Sequence, residues 1–121
     1  MKIHLVQAEG KHLITGYGEG WVQVNQERHA SAFLMTPAQW LPWNIANPKA
    51  LVEEDFRAVI PLAPEVFLLG TGARLEFPPV ASLRLLIEAG IGFEVMDSAA
   101  ACRTYNILMS EGRNVALGVT F

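Results

Sequence analysis

The stretch "VFLLGTGARLEFPPVASLRLLIEAGIGFEVMD", residues 66–97, decides how this chain folds. "VFLLG" is an uninterrupted apolar run, the pattern of a strand covered on both faces. Gly70-Thr71-Gly72 then punctuates the chain. Pro78 or Pro79 opens a helix, with Val80, Leu83, Leu86 and Ile87 as its apolar stripe. Gly90 suits the left-handed cap that ends it. Phe93 to Met96 reads as the next strand. Beyond it, "SAAACRTYNILMSEG" reads as a helix with Asp97 or Ser98 as its cap and Gly112 as its stop, and "NVALGVTF" as a closing strand. The order strand, helix, strand, helix, strand implies parallel pairing through right-handed crossovers.

Working back towards the N-terminus, the period changes. "NPKALVEEDFRAVI" places Asn47 as an N-cap and Pro48 in the first helical turn. Leu51, Val52, Phe56 and Val59 recur at helical spacing, and Glu53, Glu54 and Asp55 form a solvated face. Before Asn47 the pattern is strand-like: a short Ile3 to Val6, an alternating Trp21 to Asn25, and His29 to Thr36. Pro37-Ala38 turns the chain into "QWLPWNI", where Pro42 restricts the segment to an edge or a bulge. "GYGEG" precedes a strand rather than a helix and reads as a flexible connection or bulge. The expected fold is α/β, one domain over residues 1–121. It has three layers: a mixed central β-sheet with a parallel βαβαβ C-terminal half, antiparallel N-terminal strands, and flanking helices.

Composition narrows the function classes. The chain has 121 residues, of which 51% are hydrophobic and 17% charged, which excludes disorder. The net charge of −3 comes without any basic run and argues against nucleic acid or an anionic membrane as partner. No apolar run is long enough to insert into a membrane, and "MKIHLVQAEGKH" lacks the core of a signal peptide, so a cytoplasmic protein is expected. The single cysteine, Cys102, excludes an internal disulfide and a multi-cysteine zinc site.

Few residues carry an obvious chemistry. Gly70-Thr71-Gly72 lies at the carboxyl end of a parallel strand, where ligands of open α/β sheets bind. The dinucleotide fingerprint fails, because Leu75 stands where the third glycine belongs. A structural turn is the favoured reading. An anion held by backbone amides beside Arg74 is the alternative. With the next strand end, these residues define a candidate crevice of Thr71, Gly72, Arg74, Asp97, Ser98 and Asn106. Asn106 has two readings: tying a neighbouring loop to its helix, or lining a polar crevice with Tyr105. Arg113, after Gly112, is expected to satisfy terminal helix carbonyls. Cys102, preceded by three alanines, reads as a small buried residue. His4, His12 and His29 lack metal-ligand spacing. No metal, no cofactor and no catalytic residue are therefore expected, although an enzymatic role stays open. Trp40 and Trp43, beside a proline on an expected edge strand, form a candidate partner surface.

Over most of its length, and most densely from Ala63 to Thr120, the chain resembles the Mth-type small α/β domain family. The resemblance is carried by Gly70-Thr71-Gly72, Gly90-Ile91, Met96, Ala101, Thr104-Tyr105-Asn106 and Glu111-Gly112-Arg113. That family includes a mitochondrial assembly factor of respiratory complex I and the adipogenesis-associated Mth-domain protein, among largely uncharacterised members. The resemblance implies a mixed sheet with packed helices and no catalytic residue set. The function it implies is a protein-binding or assembly module whose partners are subunits of a larger complex. The alternatives are a small-molecule, anion-binding protein or enzyme using the strand-end crevice, and a homo-oligomer joined through the tryptophan edge.

Overall fold

A computed structural model describes residues 10–121 of the chain. Eight strands run in the order β1 (Ile14–Gly18), β2 (Trp21–Val24), β3 (Glu27–His29), β4 (Phe33–Met35), β5 (Trp40–Pro42), β6 (Val66–Gly70), β7 (Gly92–Met96) and β8 (Val115–Val119). The described residues also form two α-helices, α1 (Arg84–Glu88) and α2 (Ser98–Ser110), and two 3-10 segments, Glu53–Leu62 and Val80–Leu83. The expected strand at Ile3 to Val6, and His4 within it, lie outside the described residues.

The mixed sheet has the order β5-β4-β8-β6-β7. β6 pairs in parallel with β7 on one side and β8 on the other, while β4 and β5 add antiparallel strands beyond β8. The expected α/β architecture is present, and the antiparallel N-terminal strands divide between two sheets. β1, β2 and β3 form a separate antiparallel meander. A bulge interrupts the β1–β2 register between Ile14 and Gly16, just ahead of the glycine-rich stretch Gly16–Gly20.

Both faces of β6 are covered, as its continuous apolar run requires. Leu68 joins a core cluster with Val22, Val24, Cys102, Tyr105 and Met109, beneath the meander and α2. Phe67 and Leu69 point the other way, to Trp43, Phe56, Val59, Leu83 and Leu86, beneath the 3-10 segments and α1. Three layers result.

The helix expected from Asn47 begins later. Asn47 caps only a turn, its Oδ1 accepting from Lys49 N at 3.0 Å. The 3-10 segment opens at Glu53, with Asp55 Oδ2 accepting from Val52 N at 2.8 Å. Pro61 lies inside it, and Pro has no N–H for a longer-range helical bond. Leu51, Phe56 and Val59 are buried as expected, whereas Val52 is exposed. The stripe on the next helix is also narrower than expected. A four-residue 3-10 segment, wound at about three residues per turn, runs into a five-residue α-helix, so the phase slips at Leu83. Leu83 and Leu86 reach the sheet, and Val80 and Ile87 remain exposed. The strand expected over His29 to Thr36 is broken at Ala30, because β3 and β4 belong to different sheets.

Gly118 lies in the middle of β8, facing Phe67 and Trp43. A Cβ there would stand 2.8 Å from Phe67 Cζ and 2.9 Å from Trp43 Cζ3. Gly118→Ala is expected to lower stability by about 1–3 kcal/mol through overpacking. Urea unfolding of both forms checks this, and an unchanged midpoint would show that the two rings yield freely.

Candidate functional site

β6 and β7 lie side by side, and their exits diverge. The chain after Gly70 leaves towards the α1 face, and the chain after Met96 enters α2 on the opposite face. Such a divergence is where open α/β sheets hold ligands. Here Ser98 closes it. Gly72 N donates to Ser98 Oγ at 2.8 Å, and Ser98 N donates back to Gly72 O at 2.8 Å. Ser98 Oγ in turn donates to Thr120 O at 3.2 Å. A Cβ on Gly70 would come within 3.0 Å of Ser98 Cα, so glycine permits the close approach. Gly72 has φ +94°, which glycine adopts without strain.

Thr71 is buried, and its hydroxyl organises the following loop. Oγ1 donates to Arg74 O at 2.6 Å and accepts from Glu76 N at 3.0 Å. Thr71 N donates to Met96 O at 2.9 Å. Asp97 caps α2, its Oδ1 accepting from Ala100 N at 2.9 Å. Gly70-Thr71-Gly72 is therefore a turn whose central polar groups are already paired. Arg74 is exposed, and its guanidinium makes no hydrogen bond to a described residue.

Asn106 is not brought to this crevice. It lies eight residues beyond Ser98, about 12 Å along α2. Its Oδ1 accepts from Ile14 N at 3.0 Å, and its Nδ2 donates to Ile14 O at 2.7 Å. Tyr105 Oη donates to His12 O at 2.7 Å. The pair ties the meander onto α2, the first of the two readings the sequence offers. Burial raises the Tyr105 phenol well above its ordinary range. Gly112 closes α2 with φ +77°, and Gly112 N and Arg113 N donate back to Met109 O and Leu108 O. The Arg113 side chain does not reach the terminal carbonyls as expected. It donates to Glu65 Oε1 at 3.2 Å, and this bond holds the Glu65 carboxyl below its usual range.

A cleft of about 540 Å3 opens beside the sealed crevice, between the β1–β2 hairpin tip and the strand ends. Gly72, Asp97 and Ser98 form its floor, and Tyr17, Trp21 and Lys49 form its walls. None of those three wall residues stands out in the sequence as a site residue, although "GYGEGW" sets two aromatics around a glycine turn. The tip is held in place. Arg103 donates to Tyr17 Oη at 3.0 Å, and the Arg28 guanidinium lies 3.9 Å from the Trp21 ring centroid.

The two tryptophans do not share a surface. Trp43 is 5% exposed, and its Nε1 donates to Asp55 O at 2.8 Å. It packs edge-on against Phe56 and Phe67 on the α1 side. Trp40 packs on the meander side and stacks on His29, with ring centroids 4.5 Å apart. β5 is the edge strand expected, but alternation sends these side chains to opposite faces.

Other apolar side chains do face solvent. Leu75 and Phe77, between Gly72 and the second 3-10 segment, and Val80, which opens that segment, are 53%, 70% and 79% exposed. Thr71 pins the start of this loop, and Pro78-Pro79 stiffen its end.

Residues 14–120 match the family described as "Protein of unknown function (DUF498/DUF598)". The chain belongs to this family. It is 33% identical over 116 residues to NADH dehydrogenase (ubiquinone) 1 alpha subcomplex assembly factor 3 of Bos taurus, covering 93% of this chain and 63% of the bovine protein. The chain thus spans under two thirds of that relative's length. A crystal structure from Bordetella parapertussis superposes with TM-score 0.85 at 37% identity, covering 92% of this chain and 96% of that one. The solution structure of a Bordetella pertussis protein described as a Mth938-like domain gives TM-score 0.78 at 31% identity, covering 90% and 85% of the two chains. The resemblance to Mth-type domains is thereby established. Among the described residues no helix is long and apolar enough to cross a membrane.

Among the described residues no three His, Cys, Asp or Glu side chains converge as metal ligands. Cys102 is fully enclosed, and burial pushes its thiol up to about 12. The thiol is the neutral form below that value, and the thiolate is the nucleophile. Cys102 is therefore expected to resist iodoacetamide at neutral and mildly alkaline pH until the protein unfolds. Mass spectrometry with and without denaturant checks this. Rapid native alkylation would show that α2 opens readily.

Proposed function

We propose that the chain is a protein-binding module that serves the assembly of a respiratory NADH dehydrogenase complex. The observation that carries this reading is the ordered loop ending in Pro78-Pro79, which with the first residue of the following 3-10 segment holds Leu75, Phe77 and Val80 out to solvent. Exposed aromatic and branched side chains on a stiff loop suit a docking anchor, because little ordering entropy opposes binding. The kinship with an assembly factor of that enzyme supplies the class of partner. The loop replaces Trp40 and Trp43 as the partner surface.

A second reading, a small-molecule binding protein or enzyme at the strand ends, is supported by the cleft of about 540 Å3. That volume falls within the range of about 300–1,000 Å3 common to ligand pockets. Lys49 replaces Arg74 as the cation beside it, for an anionic metabolite.

Two measurements separate these readings. Tagged protein from its own host is expected to co-purify NADH dehydrogenase subunits, and Phe77→Asp with Val80→Asp to reduce that recovery at least about tenfold with Tm unchanged. Undiminished recovery would overturn the docking role of the loop. Under the second reading, a panel of anionic metabolites raises Tm for the wild type and not for Lys49→Ala. The absence of any shift would remove the cleft as an anion site.

A further inference from the structure

The two edges of the mixed sheet are unequal. β5 is three residues long and ends in Pro42, which blunts it against pairing. β7 is five residues long and carries neither proline nor bulge. Its hydrogen-bonding phase follows from its ends. Gly92 N donates to Glu65 O, and Met96 O accepts from Thr71 N, so Gly92, Glu94 and Met96 turn their amides and carbonyls towards β6. Phe93 and Val95 turn theirs outward, where no described residue pairs with them. Two N–H and two C=O groups thus stand in a row at the spacing that only another strand matches.

We propose that β7 is a strand-addition site, and that its occupant is an extended segment of a partner polypeptide with a basic residue at its centre. Charge selects this occupant over a second copy of the chain. Only one antiparallel register pairs β7 with its own copy along its whole length, with Phe93 opposite Val95. That register sets Glu94 directly across from Glu94 of the other copy, and like charges directly opposite destabilise a strand pair. An incoming Lys or Arg at the same place meets Glu94 favourably. The residues on either side of it share the face of Phe93 and Val95, which already pack against the α1-side cluster, so they are apolar. This surface does not use the Phe77 loop and stands or falls without it.

The probe is a short, β-branched peptide centred on Val-Lys-Val, with a Val-Glu-Val peptide as control. In the free protein the Phe93 and Val95 amides are expected to exchange fast with solvent while those of Glu94 and Met96 are protected. The lysine peptide is expected to slow exchange at Phe93 and Val95 by about tenfold or more and to bind more tightly than the glutamate peptide. Val95→Pro removes an outward amide and leaves the β6 ladder whole, so it weakens binding about tenfold, the equivalent of about one hydrogen bond. Glu94→Lys is a surface change that reverses the peptide preference, and it decides the matter alone if the proline variant does not fold. Failure of the lysine peptide to protect these amides, or the same preference in Glu94→Lys, overturns the proposal. Protection at Phe93 and Val95 that instead rises with the protein's own concentration assigns the edge to a second copy and overturns it too.

Discussion

The last strand of the chain holds the sheet together. All five residues of β8 are buried, and its two edges bond to β4 and β6. Without it the antiparallel pair β4–β5 and the parallel pair β6–β7 have no common edge. Small residues make its central place feasible: Ala116 and Gly118 face the α1 side, where Phe67, Trp43 and Phe56 meet edge-to-face. The bulk on that side comes from β6 and the segments around it, and β8 supplies the space. Joining β4 to β8 closes a loop of about eighty residues, a non-local contact of the kind that slows folding.

Two polar devices then fix the outer layers. Asn106 uses both ends of its amide on the backbone of Ile14, and Tyr105 reaches His12, so the meander is held to α2 by side chains rather than by a shared ladder. Ser98 does the same work at the strand ends, bonding to Gly72 and Thr120. Each such bond contributes about 1 kcal/mol net, and breaking one leaves a partly buried partner unsatisfied, which costs more. The residues that look most chemical in the sequence are thus occupied in holding layers together.

What remains available for function lies outside those devices. The Phe77 loop is stiff and exposes apolar side chains, the cleft beside the hairpin tip is roomy, and no described strand pairs with the outer edge of β7. Their positions follow from the topology. The loop and the cleft both depend on where β6 and β7 end, and the edge on β7 being outermost.

The sequence by itself determined the C-terminal βαβαβ order, because its apolar runs, prolines, Asp97 cap and Gly90 and Gly112 stops are local signals. It also restricted β5 to an edge or a bulge through Pro42, and favoured a turn over an anion site at Gly70-Thr71-Gly72. It left Asn106 between two roles, since an amide on a helix face reads alike whether it meets a backbone or a ligand. Only the tertiary structure decided that its partner is Ile14, ninety-two positions away. Only the structure separated Trp40 from Trp43, because strand alternation assigns faces once the two layers are in place. The same holds for the wall of the cleft and for the exposure of Val80. Burial depends on what packs opposite, and that information is spread over the whole chain rather than held in any one stretch of it.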